Sequence, residues 1–149
     1  MTQTELTSGA LAATVSDIYR AFAAGDLSAI LERLDERVTW DGDWADNCAQ
    51  RAGVDHFAPR HGRDAVVGFF ALIGSYTMHE FTVHDVLVSA RQAVAQVTIE
   101  LTLPNGGRFR DEELHLWTFG PDGRVTALRH YGDTAKHIRA AAGEDTTAG

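Results

Sequence analysis

Residues 93–103, AVAQVTIELTL, limit what this chain can fold into more than any other stretch. Ala95, Val97, Ile99, Leu101 and Leu103 alternate with Gln96, Thr98, Glu100 and Thr102. Side chains on a strand point alternately to the two faces, so this run is a long strand with one apolar and one polar face. Such a face has to be buried by other strands and by a covering layer. The flanking sequence supplies the strands. His79 to Ser89 reads as one strand, interrupted at Ala90-Arg91-Gln92, and Asn105-Gly106-Gly107 reads as a turn. A hairpin follows over residues 113–134, ELHLWTFGPDGRVTALRHYGDT, with Gly120-Pro121-Asp122-Gly123 at its tip.

The first half of the chain has a different period. Leu11, Val15, Ile18, Tyr19 and Phe22 recur at helical spacing after Thr7 or Ser8 as caps, and Gly25 ends the run. Asp26 is placed to cap a second helix carrying Leu27, Ile30, Leu31 and Leu34. Arg37 to Asp41 is a short strand. Gly62 and Asp64 open a third helix that buries Val66, Phe69, Phe70 and Ile73. Between them, residues 42–61 show no period and read as a long irregular loop, with Trp44 and Phe57 suited to cover something apolar. Three helices followed by a meander of four long strands is an α+β order. The expected organisation is a loose arm over 1–8, a single domain over 9–141 with a short terminal helix in TAKHIRAAA, and a frayed tail over 142–149.

The chain carries 13 basic and 21 acidic residues, a formal charge of −8. That balance opposes binding to nucleic acid or an anionic membrane. Cys48 is the only cysteine, so no internal disulfide can form. The N-terminus lacks the basic and apolar segments of a signal peptide, and no apolar run is long enough to span a membrane. The expectation is a soluble cytoplasmic protein. Neither glycine turn leads into a helix at phosphate-cradling spacing, and no G-x-S-x-G motif is present.

On the hairpin, His115, Trp117 and Phe119 share one face, while Leu114, Leu116 and Thr118 take the other. The partner run places Leu128 and His130 on a common face. A histidine between apolar neighbours on two paired strands points to a pocket lining, with a half-buried hairpin as the plainer reading. His115 and His130 approach each other across the hairpin, but only Asp41 or Glu113 offers a third ligand, so no metal is expected. His56 and His61 sit in the loop, and simple alternation sends His79 and His84 to opposite faces of one strand. No cofactor is called for.

The order of elements, with YRAFAAGDLSAILERLDERVTW, HGRDAVVGFF and LWTFGPDGRVTALRHYGDT, resembles the SnoaL-like and ketosteroid isomerase-like proteins of the nuclear transport factor two-like superfamily. The resemblance covers about residues 10 to 140. It implies a cone-shaped, strongly curved, mostly antiparallel (mixed) sheet wrapped around three N-terminal helices, with a deep apolar pocket. It places Asp41 in DERVTWDG at the general-base position, and His115 in LHLWTF at the position of an oxyanion-donating acid. Ile18 stands where a second oxyanion donor, a tyrosine, is found in the isomerases, and Tyr19 lies one residue on. That departure speaks against steroid isomerisation itself. RHYGDT puts Asp133 at the acid/base position of SnoaL-like cyclases, where it also reads as a helix cap, and His130 is a second acid/base candidate. The RxD pattern of the limonene epoxide hydrolase-like members is missing, since Glu113 and His115 occupy those positions. Tyr19, Trp40, Trp44, Phe57, Trp117, Phe119 and Leu128 would line or cover the pocket. The implied function is proton transfer, an isomerisation or aldol-type cyclisation, on a small apolar carbonyl compound. A non-catalytic ligand-binding domain and a dimeric interaction module are the alternatives. Leu114 and Leu116, facing away from the pocket, predict a homodimer through the outer sheet face.

Overall fold

Thr7 opens the first helix, α1 (Ser8–Ala24), by accepting the Ala10 amide on its hydroxyl oxygen at 3.0 Å. Asp26 does the same for α2 (Leu27–Glu32), accepting from Ala29 at 3.1 Å. This computed structural model describes residues 7–148. All of the expected N-terminal arm except Thr7 and Ser8 therefore lies outside the described residues.

Strand β1 (Leu34–Trp40) follows, then a connection that is less irregular than its sequence suggests. Residues 42–61 contain a one-turn helix α3 (Cys48–Arg51), a 3-10 turn (Asp55–Phe57) and a two-residue strand β2 (Arg60–His61). Asn47 caps α3 by accepting from the Gln50 amide. Gln50 ties the whole segment down: its Nε2 donates to the carbonyls of Asp41 and Phe57 at 2.8 and 3.0 Å, and its Oε1 accepts from Trp44 N. Helix α4 (Arg63–Gly74) leads into β3 (Thr77–Val88), β4 (Gln92–Thr102), β5 (Arg108–Phe119) and β6 (Val125–Tyr131), and α5 (Thr134–Ala141) closes the order.

The six strands form one mixed sheet in the order β2-β1-β6-β5-β4-β3. The expected four-strand meander is antiparallel throughout, while β1 joins it parallel to β6. The fold is therefore α+β, with α1 against β3 and β4, and α5 against β5. The alternation that defined β4 survives intact: Ala93, Ala95, Val97, Ile99, Leu101 and Leu103 are buried with Leu11, Val15, Ile18 and Trp117.

Two local expectations change. The pairing of β3 with β4 shifts register between Met78 and Glu80 and again between Val83 and Asp85. His79 and His84 consequently share a face, bonding Thr102 and Thr98 respectively, because a bulge inserts a residue and reverses the alternation beyond it. A second shift, between Thr118 and Phe119, turns Val125 into the core although simple alternation would send it outward. Asp145 bridges to Arg108, and both Thr146 N and Oγ1 donate to the Arg108 carbonyl at 2.8 Å. Gly107 allows this end of the domain to close, since a Cβ there would lie 1.7 Å from the Ala140 carbonyl oxygen.

Candidate functional site

The inward face of β5 carries Asp111, Glu113, His115, Trp117 and Phe119 in strict alternation, and all five are buried. The carboxylates and the histidine are the unusual members, since a buried charge is costly unless it is paired. Each is paired, and the partners come from other elements.

His115 stands directly opposite His130 across the β5–β6 ladder, with ring centroids 4.6 Å apart and nearly perpendicular. Asp41, just past the end of β1, reaches this pair from the parallel side. Its amide donates to the Leu128 carbonyl, extending the β1–β6 ladder by one step. Its φ of 49° is the one positive value on a described residue other than glycine, a conformation that aspartate tolerates better than most. Held so, the fully buried carboxylate accepts from the His130 amide on Oδ1 at 2.8 Å and from His130 Nδ1 on Oδ2 at 2.6 Å. Both oxygens of Asp41 are thus engaged by one residue. Burial opposes a charge on His130, but attraction to Asp41 and the hydrogen bond to it raise the imidazole above its ordinary value. Among the described residues no protein group bonds His130 Nε2.

His115 is differently placed. Its Nε2 lies 3.0 Å from Glu113 Oε1 and its Nδ1 lies 2.7 Å from the Tyr19 hydroxyl. Burial lowers its affinity for a second proton, outweighing Glu113. Tyr19 also accepts from Trp117 Nε1 at 3.1 Å. Burial pushes the Tyr19 phenol upward, so it stays protonated. Tyr19, one residue out of the expected register, nonetheless reaches the site, because α1 lies across β3 and β4 and presents it beside Phe81 and His115.

Glu113 continues the chain of contacts. Its Oε2 lies 3.0 Å from His137 Nε2, which is also 2.8 Å from Asp111 Oδ2. Burial disfavours the Glu113 anion, yet the hydrogen bonds from His115 and His137 hold it well below the usual carboxylate range. His137, from α5, is raised to about 9: burial opposes its charge, but the bonds to Asp111 and Glu113 prevail. Its Nδ1 lies 2.8 Å from His56 Nε2, and His56 Nδ1 lies 3.2 Å from the Tyr76 hydroxyl. Burial, with His137 beside it, lowers His56 to about 3. Gly132 permits the close approach, since a Cβ there would fall 2.4 Å from Asp111 Oδ2.

These groups border a cavity of about 70 Å³. A single water needs roughly 10–15 Å³ by this kind of measure, so there is room for several waters or a small organic group. Of the residues expected at the site, Tyr19, Trp40, Phe57, Trp117, Leu128, His115 and His130 line it. His56, Glu113 and His137 also line it and were not anticipated as a group. Four expected residues do not. Trp44 packs outside on Tyr131, with Arg129 over its ring, because Gln50 holds its backbone back at the start of the loop. Phe119 is buried in the core behind the cavity, beyond the register shift. Asp133 is exposed at the N-cap position of α5 without a side-chain cap bond; its amide, not its carboxylate, meets the network by donating to Asp111. Asp41 borders the cavity only through His130. Trp40 Nε1 is the one buried side-chain polar atom among the described residues without a partner, its indole enclosed by the rings of Phe69, Phe70 and Trp117.

Asp111, Glu113 and His137 are the one set among the described residues with donors close enough for a metal ion, within 4.8 Å of one another. Their chemistry fits a proton better. His137 Nε2 already sits between two carboxylate oxygens, and a metal would have to displace a proton that they hold up to a pKa of about 9.

The model of the SnoaL-like domain family matches residues 15–128. No curated protein matches the chain. Among solved structures, an NTF2-like protein of unknown function from Burkholderia pseudomallei is 25% identical, with a TM-score of 0.73 over 89% of this chain and 97% of that one. An NTF2-like protein from Burkholderia xenovorans is 16% identical, with a TM-score of 0.75 over 91% and 98%. TerC, co-crystallised with polyporic acid, is 18% identical, with a TM-score of 0.71 over 89% and 98%. No helix among the described residues is long and apolar enough to cross a membrane.

Proposed function

The chain belongs to the SnoaL-like domain family, and on that premise we propose that it is a small-molecule enzyme whose acid/base group is the Asp41–His130 dyad. The observation that carries this reading is the uncommitted Nε2 of His130, with its Nδ1 held by a fully buried carboxylate at 2.6 Å. This shifts the roles suggested by resemblance. Asp41 has no free oxygen with which to touch a substrate, so it is a positioning and charge-compensating residue. His115 has both nitrogens occupied and is not free to donate to a ligand. Asp133 has no part in the chemistry.

The reaction that fits is proton transfer on a carbonyl compound, in isomerisation or aldol-type ring closure. Neutral His130, its Nδ1–H held by Asp41, takes the proton from the carbon beside the carbonyl on Nε2 as the enolate forms; Asp41 stabilises the resulting imidazolium, which then returns the proton to the enolate. The aromatic lining of Trp40, Phe57, Phe69 and Trp117 suits an otherwise apolar substrate and keeps the cavity poor in water. A neighbour on the same fold was crystallised with polyporic acid, which supports a small organic ligand. The lone exposed Cys48 suits a cytoplasmic setting.

The test is hydrogen–deuterium exchange at carbon in a panel of small 1,3-dicarbonyl compounds, followed by NMR. His130→Gln, with its fold checked by circular dichroism, is expected to lower the rate on any active compound by about 10²–10⁴-fold. Equal rates for the variant and the parent chain would remove the assignment. Saturable binding with no exchange on any compound would favour the non-catalytic binding domain.

A further inference from the structure

The cavity has eight lining residues with polar side-chain atoms: Tyr19, Trp40, His56, Glu113, His115, Trp117, His130 and His137. Their protons can be followed one at a time from the fixed end of the network. Glu113 is a carboxylate and can only accept, so both histidine nitrogens that face it, His115 Nε2 and His137 Nε2, must donate. Burial disfavours a second proton on His115, so with its proton on Nε2 its Nδ1 is left bare and accepts. The only hydrogen within reach is that of Tyr19, 2.7 Å away. Tyr19 already accepts from Trp117, so its single proton is spent on His115. On the other side, His137 lies between two carboxylates and keeps a second proton on Nδ1, which it gives to His56 Nε2. His56 is then left with its proton on Nδ1, directed at the Tyr76 oxygen. Every link is closed.

We propose that Glu113, clamped by His137, is a positioning residue that fixes His115 as its Nε2–H tautomer and commits the Tyr19 proton to His115, so that among the described residues His130 Nε2 is the only polar atom the cavity leaves uncommitted for a ligand. Trp40 Nε1 does not compete, since it is shielded by rings and reaches no open space. A ligand therefore finds one place for its principal polar group. Compounds with a single polar group and an apolar remainder bind in one orientation, and those needing two polar partners from the protein are disfavoured. The inference shares the cavity with the proposed reaction but concerns the ligand-free protein, and it stands equally for a binding domain. Its failure is therefore separate from the failure of the dyad as a catalyst.

Long-range proton–nitrogen NMR of the uniformly ¹⁵N-labelled full chain at pH 7 reads each imidazole nitrogen as protonated or bare. The expected pattern is Nε2–H alone on His115, both nitrogens protonated on His137, and Nδ1–H alone on His56. His115 found doubly protonated, or protonated on Nδ1 alone, overturns the proposal. So does an equimolar divalent cation in elemental analysis, which would mean that Asp111, Glu113 and His137 hold a metal and not a proton. In Glu113→Gln the side chain can no longer accept from both histidines. Its oxygen stays with the charged His137 and its NH₂ turns to His115, so the His115 tautomer is expected to invert to Nδ1–H. A residue that merely packs would leave the tautomer unchanged, and an unchanged His115 in folded Glu113→Gln overturns the positioning role. If that variant does not fold, the pattern in the parent chain decides by itself.

Discussion

Replacing Asp41 by Asn changes one atom, keeps the shape and leaves the backbone unstrained, because Asn tolerates the left-handed conformation found there, φ 49°. The amide oxygen can still accept from the His130 backbone. Its NH₂ must then face His130 Nδ1, which becomes an acceptor, and the imidazole can no longer be charged without loss. In the parent chain the folded state raises the His130 pKa, burial being outweighed by Asp41. A histidine raised on folding contributes stability that is fully present below its unfolded value, about 6.5, and is lost as pH rises through the folded value. Without Asp41 only Glu113 opposes the burial, the folded pKa is expected to fall below the unfolded one, and the sign reverses: stability is now lost as pH falls below about 6.5. At pH 8 the variant exchanges a hydrogen bond to a charged group for a neutral one, a loss of about 1 kcal/mol. At pH 5 it loses the partner of a buried charge, and the cost approaches about 3–5 kcal/mol. Urea unfolding of both chains at pH 5, 6.5 and 8 measures the gap, and the titrations of His56 and His137 are common to both chains and cancel in the difference. A gap that is constant with pH, or that narrows toward acid, would refute the reasoning.

Two further outcomes are expected. Gly132→Ala places a Cβ 2.4 Å from Asp111 Oδ2 and forces the Asp111–His137 contact apart, so it should lower stability by about 1–3 kcal/mol in a thermal melt; an unchanged melting temperature would show that the loop yields without cost. On the outer sheet face Leu114 is 48% exposed beside its cross-strand partner Tyr131, 41% exposed, with Trp44 against that ring. A homodimer through this patch predicts a dimeric parent chain and a monomeric Leu114→Glu in sedimentation at micromolar concentration, and a monomeric parent chain sinks it.

Where a segment's burial is one-sided and its pairing local, the residues announce the structure. The helical stripe from Leu11 to Phe22 and the alternation from Ala95 to Leu103 both hold through to the core. The connection over 42–61 was opaque because a four-residue helix shows no period and a two-residue strand shows no alternation. His79, His84 and Val125 defeat simple alternation because bulges reverse it, and no single residue type marks a bulge. The site divides in the same way. His115, Trp117 and His130 follow from period two on one hairpin, and Asp41 from its place after the first strand. His137 and His56 come from a helix and a turn with no pattern of their own, and only three-dimensional closure brings them to Glu113. A signal did exist: Asp111 and Glu113 extend the inward series of His115 and Trp117, and two acids on an apolar face call for buried cationic partners.

The parallel seam between β1 and β6 has a consequence for how the chain comes to life. Asp41 and His130 are separated by 89 residues, and what joins them is the last step of that seam. Closing so long a loop costs entropy before any contact compensates for it. While the two strands are apart, His130 has lost its anionic partner and Asp41 its two donors. The dyad therefore has no partly built version: a chain whose hairpin is formed but whose first strand is undocked has His130 in place without Asp41 to hold it. The Asp41–His130 pair is made in a single step, with completion of the sheet.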